Sequence, residues 1–288
     1  MSGGAALDLR GERDGAGTTR LVRAHRRYPW SMTRAFWHGG GPPGLATVIP
    51  QSVSGLRIGG DRVAQQVEAG PGAALQLAFA GAELIQPARS GAPAELIWGA
   101  SAEPDALLEI VQPPTVLRPG AELSATARLA VGPGALLLWS EVLTWTDPEA
   151  FRLSSDLRVA TDDHATAALA RLVLDPDALR AAARPDGAVP RALGQVLCLG
   201  ETAARRATGL APDLLAAVGP ETYAGAAALP NAAGLAVTLL GWGRDALSTD
   251  REAVRTRLWR ALVGCPAPDP RTGPRLALER LRTSGAAR

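Results

Sequence analysis

The chain has 288 residues, 47% of them apolar and 20% charged, with a formal net charge of +2 at pH 7. That balance belongs to a globular protein, and bulk charge adds nothing to a nucleic-acid or membrane-surface role. All thirty basic residues are arginine, which removes the phosphate-loop, Schiff-base and kinase lysines together.

In chain order, residues 1–18 are rich in Gly and charge and are predicted to be a flexible N-terminal tail. Residues 19–265 are predicted to form one β-rich domain, and 266–288 a flexible C-terminal tail without apolar periodicity. Thr19 to Trp37 is strand-like. Seven arginines fall between Arg10 and Arg34, against Glu12 and Asp14. They read as an edge strand guarded by charge, with a docking edge for an acidic partner as the sharper alternative. The run from His38 to Gly44 is a break, and Ala46 to Pro50 a short apolar strand.

The middle of the chain carries an internal echo. Val67 to Ala73, with Gly70-Pro71-Gly72 at its centre, is matched by Leu129 to Ala135 around Gly132-Pro133-Gly134. Leu117-Arg118-Pro119-Gly120-Ala121 is a third version. Pro supplies a fixed φ and the next Gly a positive one, as a type II turn requires. Strand–turn–strand units that cannot bury their apolar faces alone stack. The expected fold is therefore mainly β: a stacked β-hairpin or β-helix-like scaffold with a few helices, including a C-terminal one. Predicted strands include 106–111, 124–131 and 135–145.

Further on, 168–174 and 192–199 read as strands. Asp175 caps a short helix with Pro176 at its first position. Residues 210–218 form an Ala-rich helix, and 223–229 and 234–242 a hairpin about Pro230-Asn231. Thr249 and Glu252 read as a capping box opening the last helix. Val254, Leu258 and Leu262 share one face of it, and Gly264 stops it.

The signs of chemistry are few. Cys198 and Cys265 make no CxxC pair or zinc pattern, and Cys198 reads as a small buried hydrophobe. There are three histidines, His25, His38 and His164, without metal-ligand spacing. Asp162-Asp163-His164 reads as a polar turn, or as part of a triad for which no GxSxG elbow supplies a serine. Gly55, Gly59 and Gly60 do not make a dinucleotide fingerprint. Seven tryptophans include Trp139 and Trp145, six residues apart and on one face of an unbroken strand. They read as packing residues, or as an anchor for a partner. The first thirty residues hold no signal-peptide core, and no 18-residue apolar run follows. The expected location is cytoplasmic, without membrane or nucleic-acid contact.

An ordered set of short motifs carries a family resemblance. Gly59-Gly60-Asp61 is followed by Val67 to Ala73, with Gly72 in its turn. Leu108-Glu109-Ile110-Val111-Gln112-Pro113 precedes Pro119-Gly120-Ala121. Pro133-Gly134-Ala135 then leads to Trp139-Ser140-Glu141. In order and spacing the set resembles the UreD (UreH) family of urease accessory proteins. The resemblance implies a non-enzymatic scaffold that bridges apo-urease and the UreF-like and UreG-like (GTPase) accessory proteins. It implies nickel passing through the scaffold transiently, with no tightly bound cofactor. Asp61 and Glu141 match acidic positions of the family and are the candidate ligands on that route. The plainer readings are a turn residue for Asp61 and an Arg-paired strand carboxylate for Glu141. The alternatives in function are a UreD-like interaction scaffold without nickel delivery, and a β-rich hydrolase.

Overall fold

The computed structural model describes residues 5–37 and 41–268. The first strands are β1 Leu7–Arg13, β2 Thr19–Arg26, β3 Trp30–Met32, β4 Phe36–Trp37, β5 Ala46–Val48, β6 Pro50–Ser52 and β7 Leu56–Ile58. The central run is β8 Arg62–Ala69, β9 Ala74–Ala78, β10 Glu83–Gln86, β11 Ala94–Ala102, β12 Leu107–Val111, β13 Thr115–Leu117, β14 Ala121–Val131 and β15 Leu136–Trp145. Next come β16 Phe151–Thr161, β17 His164–Leu174, α1 Pro176–Ala181, β18 Ala192–Leu199 and α2 Glu201–Leu215. The last are β19 Thr222–Ala228, β20 Gly234–Gly241 and α3 Arg244–Leu262.

From β8 to β16 the chain winds as a solenoid. β8, β11, β14 and β16 lie side by side and parallel in one sheet. β9, β12 and β15 lie parallel in a second. Short strands β7, β10 and β13 form a third parallel row. Parallel neighbours need a crossover, and here each crossover is itself a strand of the other sheet. The first sheet runs β17-β16-β14-β11-β8-β1-β2, closed at both ends by antiparallel pairs. The second runs β19-β20-β18-β15-β12-β9-β5-β4.

The echo in the sequence is one corner of this solenoid. Ala73 N–H bonds Gly70 O, Ala106 N–H bonds Glu103 O, and Ala135 N–H bonds Gly132 O. These three turns stack directly: Gly72 N–H donates to Pro104 O and Asp105 N–H to Pro133 O, each at 2.9 Å. Gly72, Asp105 and Gly134 all have positive φ, at 63°, 59° and 67°. The middle copy, Pro104-Asp105, escapes a search for Pro-Gly because aspartate tolerates the left-handed region. The third version, Arg118-Pro119-Gly120-Ala121, turns the opposite corner, between β13 and β14.

Burial follows the strand period of two where one face meets solvent. In β11, Ala94, Leu96, Trp98, Ala100 and Ala102 are buried and the residues between them only partly. Strand β15 is buried on both faces, because α2 and α3 cover the far side of the second sheet. Its Leu137, Trp139, Leu143 and Trp145 join the core between the sheets. Its Leu138 and Val142 join a second core with Leu247, Val254, Leu258 and Trp259 of α3. Trp139 and Trp145 do share the inner face, as packing residues and not as a surface anchor.

Two expectations are corrected. Residues 7–13, placed in a flexible tail, form β1, parallel to β8, with Leu7 and Leu9 fully buried. Their alternation Leu7, Leu9 is a strand signal masked by Gly-rich flanks. The last helix does not start at a Thr249 capping box. It begins at Arg244 after Gly243, and Thr249 Oγ1 donates to Asp245 O at 3.0 Å inside it. Gly264, in the left-handed region, follows its end as predicted. Asp175 caps α1, its Oδ1 accepting from Ala178 N–H at 2.9 Å. Residues 38–40, the start of the Gly-rich break, and most of the C-terminal tail, 269–288, lie outside the described residues.

Candidate functional site

Glu141 sits on the inner face of β15, between the two sheets. Its neighbours across the second sheet are polar too. Gln112 N–H bonds Ser140 O, which places Gln112 beside Glu141 on one flank. Gln195 of β18 is its register partner on the other. Gln195 in turn pairs with Thr238 of β20, which is exposed. A polar row, Gln112–Glu141–Gln195–Thr238, thus crosses an inner face that is apolar around it at Leu137, Trp139, Leu143, Leu193 and Leu197.

Above this row lies a cavity of about 30 Å³, room for roughly one or two waters. Trp98, Trp139 and Leu157 close it apolarly, while Gln112, Glu141 and Gln195 line its polar side. Gln112 Nε2 donates to Glu141 Oε2 at 3.4 Å. Burial pushes the Glu141 carboxyl up to about 7, with the Trp139 indole pulling the other way. The group therefore changes charge near neutrality. The Arg partner expected for Glu141 is absent among the described residues; an amide stands in its place. Gln112 also lines a larger surface groove on the α3 side.

Aromatic edges lead into the same space. Trp30, Phe79, Trp98 and Trp139 form a chain of edge-to-face contacts, with centroids 5.1, 5.6 and 5.3 Å apart. These rings fill much of the interior between the sheets beside the polar row.

The other motif residues hold the backbone. Asp61 is exposed, in the turn between β7 and β8. Its Oδ2 accepts from Ile58 N–H at 2.9 Å, and its own N–H bonds Ile58 O. Gly60 takes φ +92°, and a Cβ on Gly59 would collide with the Ala92 carbonyl. Gly72 and Gly134 supply the stacked corner described above. Asp61 and Glu141 thus lie at different places, one on a surface turn and one inside.

A second polar row was not singled out from sequence. On the helix side of the second sheet, Thr47, Gln76 and Glu109 occupy one rung of β5, β9 and β12. Thr47 Oγ1 donates to Gln76 Oε1 at 2.8 Å, and Gln76 Nε2 to Glu109 Oε2 at 2.7 Å. Arg255 of α3 donates to Glu109 through Nε at 2.7 Å and Nη2 at 3.0 Å. Trp259 Nε1 donates to the same carboxylate at 2.5 Å. Pro268 O accepts from Arg255 Nη2. This fully bonded network fastens α3 to the solenoid. Its signal was a lone polar residue at the centre of each short apolar strand: Thr47, Gln76 and Glu109.

Among the described residues no group of three His, Cys, Asp or Glu is placed to hold a metal ion. His164 is exposed at the start of β17, after the Asp162-Asp163 hairpin turn. Cys198 is fully buried, and burial pushes its thiol well above the ordinary range. Three of the seven arginines near the N-terminus are answered by acids: Arg10 by Glu12, Glu68 and Glu103, Arg23 by Asp8 and Glu68, Arg20 by Asp14. No helix of the described residues is long and apolar enough to cross a membrane.

Comparison with known proteins gives one consistent result. The profile of the family described as UreD urease accessory protein matches residues 3–274. A protein of Methylorubrum populi named urease accessory protein UreD 1 is 31% identical over 259 residues, 87% of this chain and 86% of its own. The protein of the same name from Methylorubrum extorquens is 30% identical over 257 residues, with the same coverage. That of Bradyrhizobium sp. is 30% identical over 250 residues, 82% of this chain and 84% of its own.

Proposed function

The chain belongs to the UreD urease accessory protein family, and from that premise we propose that it is a non-enzymatic scaffold for urease maturation. In this reading it bridges apo-urease and UreF-like and UreG-like partners in the cytoplasm, and nickel passes through it as cargo. The observation that carries the reading is the polar row across the apolar interior, with Glu141 at its centre.

The chemistry of the row suits transient passage. Carboxylate and amide oxygens bind divalent first-row ions more weakly than thiolates or clustered imidazoles. One carboxylate between two amides offers a brief stop and no tight site. The Glu141 carboxyl, pushed up to about 7, exchanges its proton for the cation, and returns to the neutral acid when the cation leaves. Thr238 at the exposed end and Gln112, shared with the surface groove, are the two ways out of the row. Asp61 remains the surface candidate for the same cargo; its turn-bound carboxylate keeps one oxygen free of the Ile58 bond.

The test is complementation of a strain lacking this gene with Glu141→Gln and Glu141→Asp. The reading expects Glu141→Gln to be produced at wild-type level yet to leave urease poor in nickel, with Glu141→Asp intermediate. Wild-type nickel loading with Glu141→Gln would remove Glu141 from the route while leaving the scaffold role standing.

A further inference from the structure

Two arginines are buried, and both are answered. Arg57 meets Glu83 through Nε and Nη2, and Arg255 meets Glu109 and Glu252. Arg251, one turn before Arg255 on α3, is partly buried and is not answered. Its Nε and Nη1 are both shut off from solvent and have no hydrogen-bond partner among the described residues. The acids nearest to it are engaged: Glu252 accepts from Arg255 Nη1, and Glu109 from Arg255, Gln76 and Trp259. Burial disfavours the Arg251 charge and Arg255 adds to the penalty, while Glu252 and Glu109 act against both. Bare donors on a permanent cation are an unfavourable arrangement that a bound anion relieves.

Arg251 lines a groove of about 790 Å³ between α3 and the ends of β9 and β12. Phe79, Val111 and Pro114 give it an apolar wall, and Arg251, Arg257 and Arg260 a cationic one, with Glu252, already paired to Arg255, the acid among them. The chain beyond Pro268 is net basic and does not complement it in charge. Residues 269–288 carry Arg271, Arg275, Arg280, Arg282 and Arg288 against Asp269 and Glu279. Charge complementarity calls for an acidic occupant from outside the chain.

We propose that this groove docks an acidic segment of a partner polypeptide, one carboxylate of which pairs with Arg251 while apolar side chains lie against Phe79 and Pro114. Arg has the planar fork that receives a carboxylate bidentately, and Arg257 and Arg260 supply attraction at the rim. The proposal does not depend on nickel passage or on the urease reading.

The probe is a capped peptide of alternating Glu and Leu, titrated calorimetrically into the full-length protein, with a Lys-for-Glu peptide as control. The acidic peptide is expected to bind, more weakly as salt is raised, and the basic one not to bind. Arg251→Leu and Arg251→Gln are expected to weaken binding by about tenfold or more. Their unfolding midpoints are expected to stay at or above wild type, since each removes bare buried donors. Equal affinity of both variants and wild type, or no preference for the acidic peptide, overturns the proposal. So does tenfold tighter binding when Asp269→Asn and Glu279→Gln are combined, which would make the chain's own tail the occupant.

Discussion

Glu109 and Arg255, 146 residues apart in sequence, meet as a bidentate pair with side chains 1% and 3% exposed. The pair joins the middle of the solenoid to the last helix of the chain. Gln76, Trp259 and Glu252 complete the bonding around it. Removing one member of a buried pair leaves the other charge bare. Glu109→Ala or Arg255→Ala should therefore cost about 3–5 kcal/mol, read as a lower urea midpoint. Replacing both by apolar residues of similar volume should recover much of that loss. A single-variant loss under about 1 kcal/mol would mean that solvent reaches the pair.

The Glu141 carboxyl gives a pH signature of defined sign. Its pKa in the folded protein is raised to about 7 from 4.5. Between those values the folded state holds more protons than the unfolded one, so stability falls as pH rises through the window. Glu141→Gln removes this loss. Relative to wild type it should gain up to about 3 kcal/mol at pH 8 and nothing at pH 4. Denaturant titrations at the two pH values measure the difference.

The stacked corner makes a third prediction. Gly134 has φ +67°, and a Cβ there would strike the Asp105 carboxylate. Gly134→Ala should destabilise by about 1–3 kcal/mol. Asp105→Gly, at φ +59° with no ion pair to lose among the described residues, should be neutral or stabilising. Thermal unfolding of the two variants separates a backbone role for these positions from a ligand role.

Cys198 should resist alkylation in the native protein. It is fully buried and its thiol is pushed strongly upward by burial and by Glu109. Cys265, partly accessible and also raised, should react first with iodoacetamide. Mass spectrometry of the native protein reads the order directly, and equal labelling would show that the second sheet opens.

The solenoid was legible because its corners repeat. Pro-Gly at 71–72, 119–120 and 133–134 announces three turns, and the lone Asp105 hides a fourth. Strand β1 was not legible, because two inward leucines between glycines are too short a pattern to outweigh composition. The start of α3 was lost for a different reason. Thr249 and Glu252 satisfy the capping-box spacing, yet the helix already runs from Arg244, where Gly243 supplies no side-chain cap. For the site, Glu141 was found through its family position, not through chemistry, since one carboxylate in an apolar strand has no local motif. The Glu109 network is assembled from five segments, and no pairing between them is visible until the strands are in register.

The most direct measurement is the nickel content per active site of urease purified from the host with this gene deleted, and again with it restored. The account predicts urease protein that accumulates with little nickel in the deletion and regains it on restoration. Urease fully loaded with nickel in the deletion strain would contradict it.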